Sequence, residues 1–164
     1  MVDVQTVSIV VASASVVAGI IYYAFQVRHQ SKVRQTDLIM RLVTFYNSKD
    51  FQEELARVRT LNFIDVNDYL RKYGPLVSSF PNEVQFSLLR VGSFSESLGV
   101  LVKEKLLDIN LVAELFMVDM YWKKTEPLVK ELRKQVGNPD LYEWSEYLYN
   151  ELQKRKQKTK VSST

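Results

Sequence analysis

Between Asp3 and Arg28 the chain runs through 24 consecutive residues without a charged side chain, VQTVSIVVASASVVAGIIYYAFQV. A helix rises about 1.5 Å per residue, so this run would be roughly 36 Å long, enough to cross a hydrocarbon core of about 30 Å with some tilt. It therefore predicts a transmembrane helix over residues 4–27, with the lipid bilayer as the first partner. The competing reading is a cleavable secretory signal, which the Ala12-Ser13-Ala14 run keeps open. Such a signal carries basic residues ahead of its apolar core, whereas the only charge preceding this core is Asp3, so an uncleaved anchor is the expectation.

The flanks set the orientation. Arg28, Lys32 and Arg34 follow the run and no Lys or Arg precedes it, which places the N-terminus outside and the body in the cytoplasm of a cell membrane crossed once. Tyr22 and Tyr23 stand just before that basic edge, where aromatic rings prefer the headgroup level. They are expected at the membrane interface together with Arg28, Lys32 and Arg34. Ser8, Ala12, Ser15 and Gly19 recur at intervals of four, three and four, leaving one side of the span narrow. Close approach of a second copy, giving a homodimer, and the ordinary frequency of small residues in spans both account for that side.

Charge is segregated along the chain. Residues 28–49, the expected basic juxtamembrane helix, sum to +4; residues 50–153, the expected helical cytoplasmic domain, sum to −5; residues 154–164, the expected disordered basic tail, sum to +5. A mildly acidic body between two basic ends suits an anionic lipid surface, where each nearby Lys or Arg is worth about 1 kcal/mol. The tail lacks an apolar stripe or interleaved aromatics, so no specific nucleic-acid recognition is expected of it. The sequence has no Cys and a single His, His29, which excludes disulfides, thiolate metal sites, Cys nucleophiles and most His-based triads.

Past the span every periodic segment is helical, predicting an all-α fold in which one transmembrane helix precedes a small helical-bundle domain. Leu38, Leu42 and Phe45 carry the first helix on to a break at Asn47 and Ser48. Asp50 with Glu53 has the form of a capping box, opening a helix with Phe51, Leu55, Val58 and Leu61 or Asn62 on one side. Asp65 can cap a short helix that Gly74-Pro75 stops. Pro81 suits the first turn of a helix running to Leu106 or Leu107, striped by Val84, Leu88, Val91, Leu98 and Val102. Gly92 and Gly99 lie on it seven residues apart, read either as close packing against a neighbour or as simple tolerance. Asp108 is a good N-cap for a helix with Leu111, Leu115, Val118 and Trp122 as its buried stripe, which Pro127 is expected to kink or split near Lys124 and Thr125. Leu128, Val129, Leu132 and Val136 follow to a stop at Gly137. A last helix opens at Asp140, with Glu143 completing a capping box, and carries Leu141, Trp144, Leu148 and Leu152.

The segment LGVLVKEKLLDINLV, then Trp122 with Pro127 and Arg133, then Asn138-Pro139 and the aromatic stretch from Leu141 to Leu152, resemble an uncharacterised prokaryotic family of small proteins. The resemblance implies one N-terminal transmembrane helix and an all-α cytosolic domain of unknown function. It brings no site residues and no cofactor. The family's glycine before Asp108 is replaced by Leu106 or Leu107, so the turn there must be built differently.

Candidates for chemistry are few. Asp65, Asp68, Asp108 and Asp119 could serve as metal or acid–base carboxylates, but Asp65 and Asp108 stand where N-caps are needed and Asp119 is expected on an exposed side. No glycine-rich phosphate loop occurs. Tyr142, Trp144, Tyr147 and Tyr149 spread around a helix, which suits packing better than a base-stacking face. Arg133, across the Pro127 bend from Trp122, can tie helices together through a carboxylate or carbonyl oxygens. No catalytic, metal or cofactor site is predicted, and the expected role is a membrane-anchored interaction or regulatory module for an unknown protein partner. The alternatives are nucleic-acid binding through the basic tail and an enzyme built on a carboxylate/Arg site.

Overall fold

The computed structural model describes the backbone of residues 4–162 and the side-chain surroundings of 19, 21–27, 29–30 and 32–158. Its helices are α1 (Val4–Tyr46), α2 (Lys49–Thr60), α3 (Val66–Tyr73), α4 (Glu83–Lys103), α5 (Ile109–Leu115), α6 (Val118–Val136) and α7 (Glu143–Ser162), and no strand forms among the described residues. The fold is all-α, as the periodicity predicts. Two units are present, residues 1–41 and 42–164. Among the described residues no helix is long and apolar enough to cross a membrane. Most of the span expected at 4–27 concerns side chains outside those residues.

In the second unit, Ser48 rather than Asp50 caps α2, accepting from the Phe51 N–H, because the chain is already extended at Ser48. Asp50 sits in the first turn, where its charge still suits the helix N-terminus. Gln52 donates to the Tyr46 carbonyl at 2.6 Å and so satisfies an orphan acceptor at the end of α1. Asp65 caps α3 and Asp108 caps α5, as expected. α4 starts two residues after Pro81, in a reciprocal capping box of Asn82 and Gln85. It stops at Lys103, before Leu106. Lys105 takes the left-handed conformation (φ 57°) that a glycine would adopt freely, and the Leu106 and Leu107 N–H groups both reach the Leu101 carbonyl.

The largest correction lies between Asp108 and Pro127. The expected continuous helix is broken at Phe116 and Met117, and Leu111 and Leu115 are more than a third exposed, while Val112 and Phe116 are buried. Leaving helical geometry lets the Phe116 ring meet Tyr46 (centroids 5.1 Å) and Phe94 (5.6 Å) edge-on, an aromatic burial that outweighs the turn given up. Pro127, in contrast, does not split α6. Its missing N–H removes one helical bond on an exposed face, where water can replace it, while Trp122, Thr125, Leu128 and Val129 stay buried on the other side. The residues expected to form a structureless tail are helical as far as Ser162: Lys154 pairs with Glu151 at 2.7 Å, Arg155 with Asn110 at 2.7 Å, and Lys156 with Asp119 at 2.5 Å.

Phe51, Leu55, Val58, Leu61, Tyr69, Val91, Tyr121 and Leu128 form one buried cluster from α2 and its C-cap residue, α3, α4 and α6. Each such side chain contributes about 1.5–3 kcal/mol relative to exposure. α4 packs most extensively on α7 and α2. Of the two readings of Gly92 and Gly99, close packing is what the structure has. A Cβ on Gly99 would lie 2.1 Å from the Trp144 carbonyl oxygen, and one on Gly92 would lie 2.6 Å from the Tyr121 hydroxyl.

Candidate functional site

α7 has no capping side chain of its own at its start, and the expected Asp140–Glu143 box does not form. Its first amides turn instead to α4: the Glu96 carboxylate accepts from Ser145 N–H at 2.8 Å and from Trp144 N–H at 3.3 Å. An anion at a helix N-terminus is favoured by both the free N–H groups and the helix dipole. Just before this junction Tyr142 adopts a left-handed φ of 61°, which costs a non-glycine residue about 1–2 kcal/mol. The strained backbone places the Tyr142 ring over Gly92, 2.9 Å from where a Cβ would be. Burial, and after it the nearby Glu96 charge, pushes the Tyr142 phenol up.

Tyr142 forms part of the wall of an apolar cleft between the 75–82 loop, α3, α4 and α6. The inner end measures about 50 Å³ and includes Tyr69, Leu88, Tyr121, Thr125, Leu128 and Val129 in its lining. The mouth measures about 290 Å³ and adds Val77, Ser78, Pro81, Val136 and Leu141. Leu76, Gln85, Leu89, Leu132 and Tyr142 line both, so the two parts adjoin. Val77 and Val136 remain over half exposed at the rim. Gln85 is locked at both ends of its amide, donating to the Pro75 carbonyl and accepting from Asn82 N–H at 2.7 Å. Its inward position follows from the capping box.

The candidate carboxylates are engaged in structure. Asp68 is buried and accepts from Lys72 (2.8 Å), Arg71 (2.5 Å) and the Ile64 N–H (3.1 Å). The Lys72 hydrogen bond, then that from Ile64, holds its carboxyl below the usual 3.8. A carboxyl depressed on folding stabilises the native state fully above its unfolded value and loses that contribution as pH falls through the folded value. Stability should therefore drop as the pH is lowered below about 4. An Asp68→Asn variant should show a flatter acid limb in thermal melts taken between pH 6 and 3. Asp119 is not on a free face as expected; Lys156 of α7 covers it and lowers its pKa. Among the described residues no group of three or more His, Asp or Glu is placed to hold a metal.

Arg133 ties the end of α6 to α7, donating to the Leu141 carbonyl at 2.8 Å and pairing with Glu146 at 2.8 Å, the helix-tying role its position suggests. Trp122 faces Tyr149 (centroids 6.5 Å). Trp144 and Tyr147 meet edge-on under the Lys103 ammonium, while Tyr142 lies in the cleft, so the four aromatics share no single face. In the first unit Tyr22, Tyr23, Lys32 and Arg34 are exposed on α1, and the Arg28 side chain lies outside the described residues. Ser8, Ala12 and Ser15 also have side chains outside them; Gly19 is exposed, with nothing within 4 Å of an added Cβ.

A family model described as a domain of unknown function (DUF4760) matches residues 10–152. The chain belongs to this family. The match takes in the whole cleft, both ends of the Glu96 contact and the Arg133 tie. No curated protein and no solved structure matches the chain. Sequence reasoning missed Tyr69, Gln85, Glu96 and Tyr142 as site residues of this DUF4760 chain. The one available signal was the absence of a strong capping residue at Tyr142, immediately before α7.

Proposed function

We propose that this DUF4760 chain is a membrane-attached helical module, in a prokaryotic cell, that works by binding and carries its body on the cytoplasmic side. The observation carrying this reading is the uncharged run at 4–27 followed by Arg28, Lys32 and Arg34, with none of their charge ahead of it. A second copy would approach along Ser8, Ala12, Ser15 and Gly19. The anionic headgroups would meet Lys32 and Arg34, both exposed. Binding rather than chemistry is supported by the cleft, whose walls are apolar, and by the use of Asp65, Asp68, Asp108 and Asp119 in caps and ion pairs. Attachment raises the effective concentration of such a module toward partners in the same membrane.

The test is fractionation and protease access. The full chain with a C-terminal tag should stay with membranes through alkaline carbonate, and protease added to intact cells should spare the tag. Release by carbonate would remove the attachment, and digestion of the tag without membrane rupture would reverse the orientation.

A further inference from the structure

Another hollow, of about 110 Å³, lies where α2 meets the start of α6. Its walls are apolar, from Leu55, Val58, Met117, Met120 and Tyr121, and Arg59 and Lys124 complete the lining. Met117 and Met120 are 54 % and 42 % exposed, so solvent reaches the hollow on their side. Both cations have donors to spare. Of the several N–H groups on the Arg59 guanidinium, one points at the Met117 sulfur at 3.3 Å, a weak acceptor. The Lys124 ammonium spends one proton on the Arg59 backbone carbonyl at 2.6 Å. Among the described residues neither is paired with a carboxylate, whereas Arg57 and Arg90 share Glu54. α6 begins beside these two groups without a capping side chain, and Asp119 in its first turn is taken by Lys156 at 2.5 Å. An uncapped helix start adds partial positive charge to the same place.

We propose that this hollow binds a short aliphatic carboxylate, the carboxylate meeting the Arg59 guanidinium and the Lys124 ammonium while the hydrocarbon chain lies against Leu55, Val58 and Met120. Arginine presents its N–H groups in a planar fork that matches a carboxylate. A space of about 110 Å³ is smaller than the roughly 150 Å³ cavity that benzene occupies, so it suits a chain of about four carbons rather than a ring. The unbranched methionine side chains can repack around such a chain. A neutral alcohol would leave both cations without a counter-charge, and free phosphate would leave the apolar walls in water. The site goes beyond membrane attachment, because every lining residue falls between 55 and 124. It holds or fails separately.

The experiment is a titration of the full chain, carrying methyl-labelled methionine and held in nanodiscs of zwitterionic lipid, followed by NMR. The chain has four methionines, of which Met117 and Met120 report on the hollow and Met1 and Met40 serve as internal controls. Butyrate should move the Met117 and Met120 methyl signals along a saturating curve and leave those of Met1 and Met40 in place. Butan-1-ol, acetate and inorganic phosphate should each require about ten-fold higher concentration for the same shift. Arg59→Gln, at an exposed position, should weaken butyrate binding about ten-fold and Lys124→Gln about three-fold, with Arg59→Lys falling between Arg59→Gln and the parent. Shifts that rise without saturating, equal shifts of all four methionines, butan-1-ol or phosphate acting at the concentration of butyrate, or undiminished binding to Arg59→Gln would each overturn the proposal. Saturable shifts in a chain that carbonate releases from membranes would leave it standing and remove only the attachment.

Discussion

Gly99→Ala should lower the stability of the chain by about 3 kcal/mol, roughly 10 °C in midpoint. Alanine is about 1 kcal/mol better than glycine within a helix, so propensity alone predicts the opposite sign. What decides it is that the new methyl would fall 2.1 Å from the Trp144 carbonyl oxygen and 2.5 Å from its carbonyl carbon. Those are backbone atoms in the first turn of α7, and relieving the overlap means moving the helix. Gly92→Ala is the internal control. Its nearest neighbours are the ends of the Tyr121 and Tyr142 side chains rather than backbone, so relief needs no helix to move and the loss there should be smaller, about 2 kcal/mol. Thermal melts followed by tryptophan fluorescence would compare the two, and a Gly99→Ala midpoint equal to or above the parent's would show that α7 does not seat this closely on α4.

Removing the carboxylate that receives the start of α7 should have the next largest effect. Glu96→Ala leaves the Trp144 and Ser145 amides without their acceptor and removes a negative charge from a helix N-terminus, a combined loss of about 2 kcal/mol. Glu96→Gln keeps one acceptor and loses the charge, so about half that loss is expected. Amide hydrogen exchange separates this local effect from general destabilisation: Trp144 and Ser145 should exchange faster in Glu96→Ala while amides in the middle of α2 keep their relative protection. Unchanged protection at both would mean that another group takes over the cap.

The parts of this fold legible in the sequence are those where one helix buries one unbroken stripe. Phe51, Leu55 and Val58 are buried on α2, and Leu148 and Leu152 on α7, because spacings of three and four residues bring side chains to one face. Asp65 and Asp108 were legible as caps for a similarly local reason. Leu111 and Leu115 misled because their spacing matched Val118 and Trp122 across a break that only the docking of Phe116 on Tyr46 and Phe94 explains. Pro127 misled in the other direction, since a proline's cost depends on which face it occupies, and the face is set by packing. The cleft was not legible at all. Its walls join Tyr69 to Tyr142, and its closest approach to α7 depends on a cap supplied from Glu96, 48 positions before Trp144. The membrane span proposed for residues 4–27 rests on the sequence alone.

The left-handed Tyr142 and the Glu96 cap together make the last wall of the cleft depend on contacts far apart in the chain. A growing chain can coil α2, α3, α4 and α6 from local signals, but the last wall of the cleft arrives only with residue 142. That ring is held by a junction whose acceptor was made 48 residues earlier. Until α7 emerges and its first amides find Glu96, the apolar side chains of Leu76, Leu89 and Leu132 have no Tyr142 beside them. A chain ending before residue 142 would therefore keep a largely helical body while its cavity stood open on one side. Truncation there should expose those apolar walls and favour association through them.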